Sequence, residues 1–182
     1  MEPIRVALCV AIALAAVAAF FDWRTAEIPN WLTLPPLGLS PFLYGQFFGF
    51  EAALRCFAAT LLSALVPYFL FRRSAMGGGD VKLLGALGAI TSFDLLAGLE
   101  IQLSAFVIAL AVAFAALAWE GRLASWLWAA AVRPMRALVP WLGAAARSVD
   151  HRTSIRMGGP IFIATSIFVA SRLASASTWR GL

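Results

Sequence analysis

Two aspartates, Asp22 and Asp80, are the residues best placed to do chemistry in a chain with little other acid–base equipment. Asp22 closes the apolar run that begins at Ile4. Asp80 follows Gly77-Gly78-Gly79 and opens another apolar run. Two carboxylates held close resist double ionisation and share a proton. With a water between them, one acts as base and the other as acid, as in aspartic proteases. Partial desolvation would raise at least one of the two pKa values and keep the proton in the pair. The titration would then belong to the dyad and not to either residue. The single histidine, His151, lies in a basic stretch with no nucleophile nearby, so no serine–histidine pair competes for the role. Cys9 and Cys56 sit inside separate apolar runs. With no C-x-x-C in the chain, neither a zinc site nor a redox pair is supported.

Asp80 on its own also has a plainer reading. An aspartate at the head of an apolar run is a good helix N-cap, and Lys82 beside it would simply snorkel to an interface. The three glycines could likewise be an ordinary turn, or they could admit a substrate backbone and adopt positive φ. The residues alone leave both readings open.

The elements that must position this pair are set by composition. The chain has 182 residues, 62% hydrophobic and 13% charged, against about 45–50% and about 25% in soluble domains. Mean hydropathy is +0.88. This is an all-α integral membrane protein of about six spans, of a length that suits a single polytopic domain. The spans are expected over residues 4–21, 31–49, 52–71, 81–99, 101–119 and 158–174, the last starting near Pro160. The first is alanine-rich and early, but its apolar run exceeds the usual 7–15 residues of a signal peptide, so it reads as an uncleaved helix. Pro35, Pro36 and Pro41 should kink or partly unwind the second. Asp94 falls toward the tail of the fourth. Residues 120–157 mix tryptophan with arginine (Trp126, Trp128 and Trp141 among them) and read as a cytoplasmic interfacial segment.

The net charge of +5 comes almost wholly from arginine, since Lys82 is the only lysine. These cations lie between apolar runs, so they speak for topology, and no nucleic-acid partner is expected. Ten of the fourteen fall on one side of the expected topology, and only Arg5, Arg55, Arg172 and Arg180 on the other. The positive-inside rule then puts residues 22–30, 72–80 and 120–157 in the cytoplasm and both termini outside. Helix 1 runs inward and helix 4 outward, so Asp22 and Asp80 arrive at the same depth.

With that placement, "DWRTAEIPNWLTL" (22–34) followed by "GGGDVKLLGALG" (77–88) resembles the type IV prepilin peptidases, aspartic proteases of the GxGD class. Asp22, Arg24, Ile28, Pro29, Asn30, Gly77, Gly79, Asp80 and Lys82 fit the family pattern, and "MGGPIFIA" (157–164) is loosely similar to its Gly-Pro segment. The resemblance implies Asp22 and Asp80 as the catalytic pair. It also implies Gly77, Gly78, Gly79, Lys82, Arg24, Pro29 and Asn30 as loop and substrate-positioning residues, water as nucleophile, and no metal or cofactor. The implied substrate is a prepilin-like protein with a basic leader and a hydrophobic helix, cut at the cytoplasmic face of the bacterial inner membrane. Larger members carry paired C-x-x-C motifs and methylate the new N-terminus. Here the first loop is only 22–30, so no methyltransferase activity is expected, and the chain is similar to the small Flp/Tad-type enzymes. Archaeal preflagellin peptidases are similar too. The alternative is a non-enzymatic polytopic protein, a small transporter or secretion scaffold, with helix 2 and the glycine loop lining a path. Presenilin-like enzymes fit less well, because their first aspartate sits in a Tyr-Asp pair inside a span, whereas Asp22 lies between Phe21 and Trp23 at a helix end.

Overall fold

The computed structural model describes residues 2–128 and 156–178. Six long helices follow one another: α1 (Glu2–Thr25), α2 (Asn30–Phe48), α3 (Phe50–Arg72), α4 (Gly78–Ile90), α5 (Ala97–Trp119) and α6 (Gly158–Thr178). No strand occurs among the described residues. Among the described residues four helices are long and apolar enough to cross a membrane: α1, α3, α5 and α6. Only 22–39% of the residues in their apolar windows are buried inside the chain, so most of that apolar surface faces outward, as a bilayer requires.

The two helices outside this group are the informative ones. A span over 81–99 is expected, but α4 ends at Ile90. Its 13 residues reach about 20 Å, short of a hydrocarbon core of about 30 Å. From Leu83 to Ile90 every residue of α4 is buried. It is a central helix wrapped by protein, with α2, α3 and α1 packed on it. Its last carbonyls are taken by neighbours: Tyr44 Oη donates to Ile90 O at 2.7 Å and Cys56 Sγ to Ala89 O at 3.3 Å. The chain then turns. Asp94 Oδ1 accepts the Leu96 N–H at 3.1 Å and starts α5, so the acid expected within a span is a cap between two helices.

The other helix, α2, runs unbroken from Asn30 to Phe48 through all three prolines, where a kink or local unwinding is expected. The carbonyls four residues before each proline, those of Trp31, Leu32 and Leu37, lose their helical N–H partner.

The chain falls into two compact units, residues 1–108 with 156–182, and Ala109–Ile155. The first holds a core of Leu8, Leu14, Leu83, Leu84, Leu87, Ile101, Ile161 and Phe168, filled out by alanines of α1 and α5. In the second, the Phe114 and Trp126 rings meet edge to face at 5.7 Å, and Arg122 pairs with Glu120 at 3.3 Å. Most of the segment expected at the interface, with Trp141, Asp150 and His151, lies outside the described residues.

Candidate active site

Asp22 lies in the last turn of α1 and Asp80 in the first turn of α4. The loop that joins α1 to α2 is shorter than expected, because α1 continues to Thr25 and α2 begins at Asn30. Both aspartates line one cavity of about 360 Å³, together with Ala26, Glu27, Ile28, Asn30, Gly77, Gly78 and Gly79. Of the residues expected here, Asp22, Asp80, the three glycines and Asn30 are brought together. Arg24, Pro29 and Lys82 stand outside the lining. Arg24 lies over the Phe20 ring, 5.6 Å from its centroid. Pro29 is the N-cap position of α2, and its fixed φ suits the entry to a helix. Lys82 Nζ donates to Asn30 Oδ1 at 2.7 Å and ties the start of α4 to the start of α2. Asn30 therefore does not cap α2, as its position after Pro29 suggests; its side chain is held by Lys82.

The glycines work differently from the expectation of open space for a substrate. None of the three has positive φ; Gly77 is extended, at φ −73°, and Gly78 and Gly79 are already helical. The missing side chains make room for the protein itself. A Cβ on Gly79 would stand 3.0 Å from Ile28 Cβ, and one on Gly78 would meet the Phe71 ring at 3.2 Å. Gly79 thus lets the loop bearing Ile28 close on α4, which carries the α1–α2 connection up to the cavity wall. Positive φ occurs instead at Ala26 (57°) and Ser74 (56°), in the two loops that flank the pair. Non-glycine residues adopt this conformation at a cost.

The two carboxylates have unlike surroundings. Asp22 is buried, 7% exposed, and its Oδ2 accepts the Gly158 N–H at 2.9 Å. The carboxylate thereby sits at the N-terminus of α6, where backbone N–H groups lack helical partners and favour an anion. A Cβ on Gly158 would lie 2.7 Å from Asp22 Cβ and Oδ2, so only glycine fits. Arg156 fixes the same junction from the backbone side, with Nη1 donating to Trp23 O at 2.6 Å and Asp22 O at 3.3 Å. Asp80, outside the four membrane-length helices, is pushed up to about 6, first by burial and then by the charge of Asp22, against a backbone hydrogen bond from Gly77. A carboxyl that holds its proton more tightly than usual, next to one anchored by a backbone amide, is the kind of asymmetry that acid–base hydrolysis uses.

Sequence reasoning missed Arg156 and gave Gly158 little weight. Arg156 is one arginine among several in a basic stretch. The signal for Gly158 was the "MGGP" string at a helix start, but nothing local says that its amide meets a side chain 136 positions away. Among the described residues no group of three or more His, Cys, Asp or Glu side chains is placed to hold a metal ion.

A model of the type IV leader peptidase family matches residues 9–121, a stretch that includes both aspartates and stops before Gly158. The chain is 43% identical over 84 residues to a prepilin leader peptidase/N-methyltransferase of Dickeya chrysanthemi, covering 43% of this chain and 28% of that protein. It is 37% identical over 117 residues to the prepilin leader peptidase/N-methyltransferases of Burkholderia pseudomallei strains 1026b and K96243, covering 61% of this chain and 37% of each relative. The alignments thus span well under half the length of the curated relatives. No solved structure matches the chain.

Proposed function

The chain belongs to the type IV leader peptidase family, and on that premise we propose that it is a membrane aspartic endopeptidase that removes the basic leader of a prepilin-like protein. The observation that carries this reading is the shared cavity of Asp22 and Asp80, with the two carboxyls in unlike surroundings. In the proposed step the pair holds one water. Asp22 is bound through Oδ2 to the Gly158 amide and acts as acceptor for the water's proton. Asp80 gives its proton to the scissile carbonyl oxygen as the water's oxygen bonds to the carbon. When the gem-diol collapses and the C–N bond breaks, the leaving nitrogen takes the proton held by Asp22. A diol hydroxyl gives its proton to Asp80 as the new carboxyl C=O forms, so the pair returns to its starting state.

The cavity faces the cytoplasm in this reading. The loops that carry it are on the arginine-rich side, while Arg5, Arg55 and Arg172 mark the opposite one. The bacterial inner membrane is the matching location. The relatives bear a second named activity, N-methyltransferase, but the family model that matches here is that of the leader peptidase. We assign this chain the peptidase step alone, as in the small Flp/Tad-type enzymes. The purified chain, in liposomes with a synthetic prepilin-like peptide, should yield a single new N-terminus by mass spectrometry, directly before the peptide's hydrophobic helix. Cuts scattered along the peptide, or none, would overturn the substrate assignment.

A further inference from the structure

The end of the first unit away from the aspartate pair holds a second polar feature that proteolysis does not use. Two cavities, of about 630 Å³ and about 360 Å³, share Ile4, Arg55 and Phe93 in their walls. Arg5 on α1 stands 17 residues before Asp22, about 26 Å along the helix. The floor is the turn between α4 and α5, with Phe93, Asp94 and Leu95. Charges in the larger cavity are three arginines, Arg5, Arg55 and Arg172, against one acid, Asp94. The smaller adds Glu51.

These arginines are not equivalent. Arg172 is engaged: its Nη2 pairs with Asp94 and, at 3.2 Å, with Glu100, and its guanidinium lies 5.0 Å from the Phe168 ring centroid. That network holds α6 to the α4–α5 turn. Arg5 and Arg55 make no ion pair among the described residues, and neither does Glu51 one turn before Arg55. They come from different membrane-length helices, α1 and α3, each packed on α4. Two unpaired guanidiniums over one cleft are suited to grip the oxygens of a phosphate. Apart from Ser175, the rest of the wall is apolar, with Ile4, Leu8, Phe93, Leu95 and Leu173. A free anion has no use for such a wall, whereas a lipid has a chain to lay on it. In the larger cavity the one acid is already paired and three arginines face it. Glu51, in the adjoining smaller cavity, is the acid that a zwitterionic headgroup's ammonium would have to reach, so the preference for an anionic lipid rests on the excess of arginine in the larger one.

We propose that this groove binds the phosphodiester of an anionic phospholipid from the leaflet opposite the candidate active site, with Arg5 and Arg55 on the phosphate and an acyl chain along Leu8 and Leu173. Basic pockets between spanning helices bind lipid headgroups in this way. The test is native mass spectrometry of the full chain in neutral detergent, titrated with dioleoyl-phosphatidylglycerol, dioleoyl-phosphatidylcholine or inorganic phosphate. The chain should bind phosphatidylglycerol at least about tenfold more tightly than phosphatidylcholine. The double variant Arg5→Gln/Arg55→Gln should lose that preference, while Arg73→Gln, which removes a cation elsewhere, should keep it. Millimolar inorganic phosphate should not displace the lipid. Equal binding of the two lipids, an unaffected double variant, an equal loss in Arg73→Gln, or displacement by phosphate would each overturn the proposal.

Discussion

Asp22 and Asp80 differ because one is met by a helix terminus and the other by apolar packing. The asymmetry gives a pH signature at Asp80. Its carboxyl titrates near 6 in the folded chain against an ordinary 3.8. The fold therefore holds the proton more tightly than the unfolded chain does. The stability tied to that proton is complete below about pH 3.8 and is lost as pH rises through 6. Asp80→Asn has no charge to bury, so it should melt above the wild type at pH 8, with the gap closing as pH falls from 6 to 4. Melting curves across that range check this. Gly158 is the second residue-scale lever. Gly158→Ala forces a Cβ to within 2.7 Å of the Asp22 carboxylate and should cut leader cleavage roughly 100-fold while the chain still folds. Steady-state cleavage beside a melting curve separates the two effects. At this scale the sequence showed the two aspartates and the glycines, because each lies in a short local string. It did not show Ile28 filling the space at Gly79, or Arg156 gripping the end of α1, because both depend on how distant segments pack.

Among the elements, α4 decides the architecture. Hydropathy reads the apolar run from Val81 onward as a span reaching residue 99, since Leu, Ala, Gly and Ile score alike in lipid and in a protein core. What ends the helix is polar and short: Tyr44 and Cys56 on its last carbonyls, and Asp94 starting the next helix. The "TSFD" string at 91–94 carries a cap signal that a window average erases. The small residues of α4 permit its burial. A Cβ on Gly88 would run into Ser63 and stand 2.9 Å from Ala59 O, both on α3. Gly88→Ala should therefore destabilise the chain by about 1–3 kcal/mol, seen as a lower melting temperature at every pH. An unchanged melting point would mean that α3 and α4 are not in close contact. The other helices were largely legible, with α1, α3, α5 and α6 close to the expected spans, because long apolar runs leave few alternatives.

At the scale of the molecule, the described cations of the first unit sort to its two ends. Arg24, Lys82 and Arg156 gather at the end with the aspartate pair, while Arg5, Arg55 and Arg172 gather at the other. For these six the sorting follows from which helix ends carry which cations, which is legible in the sequence. The six apolar runs correspond, among the described residues, to four membrane-length helices plus the buried α4 and the proline-bearing α2, so a count of six spans is not confirmed. The proposed orientation predicts a labelling pattern in inverted and right-side-out membrane vesicles. In a cysteine-free background, Ala26→Cys should react with an impermeant maleimide only from the cytoplasmic face, and Leu96→Cys only from the other. The reverse pattern would turn the molecule over and remove the cytoplasmic substrate from reach. The proposed peptidase chemistry needs the two carboxylates to act as a unit. Single-turnover leader cleavage by purified Asp22→Asn and Asp80→Asn in liposomes is its sharpest measurement. Each variant should lose roughly 10²–10⁴-fold in rate, and the double variant little more than the worse single one. Wild-type processing by either single variant, or losses that multiply in the double, would contradict a shared dyad.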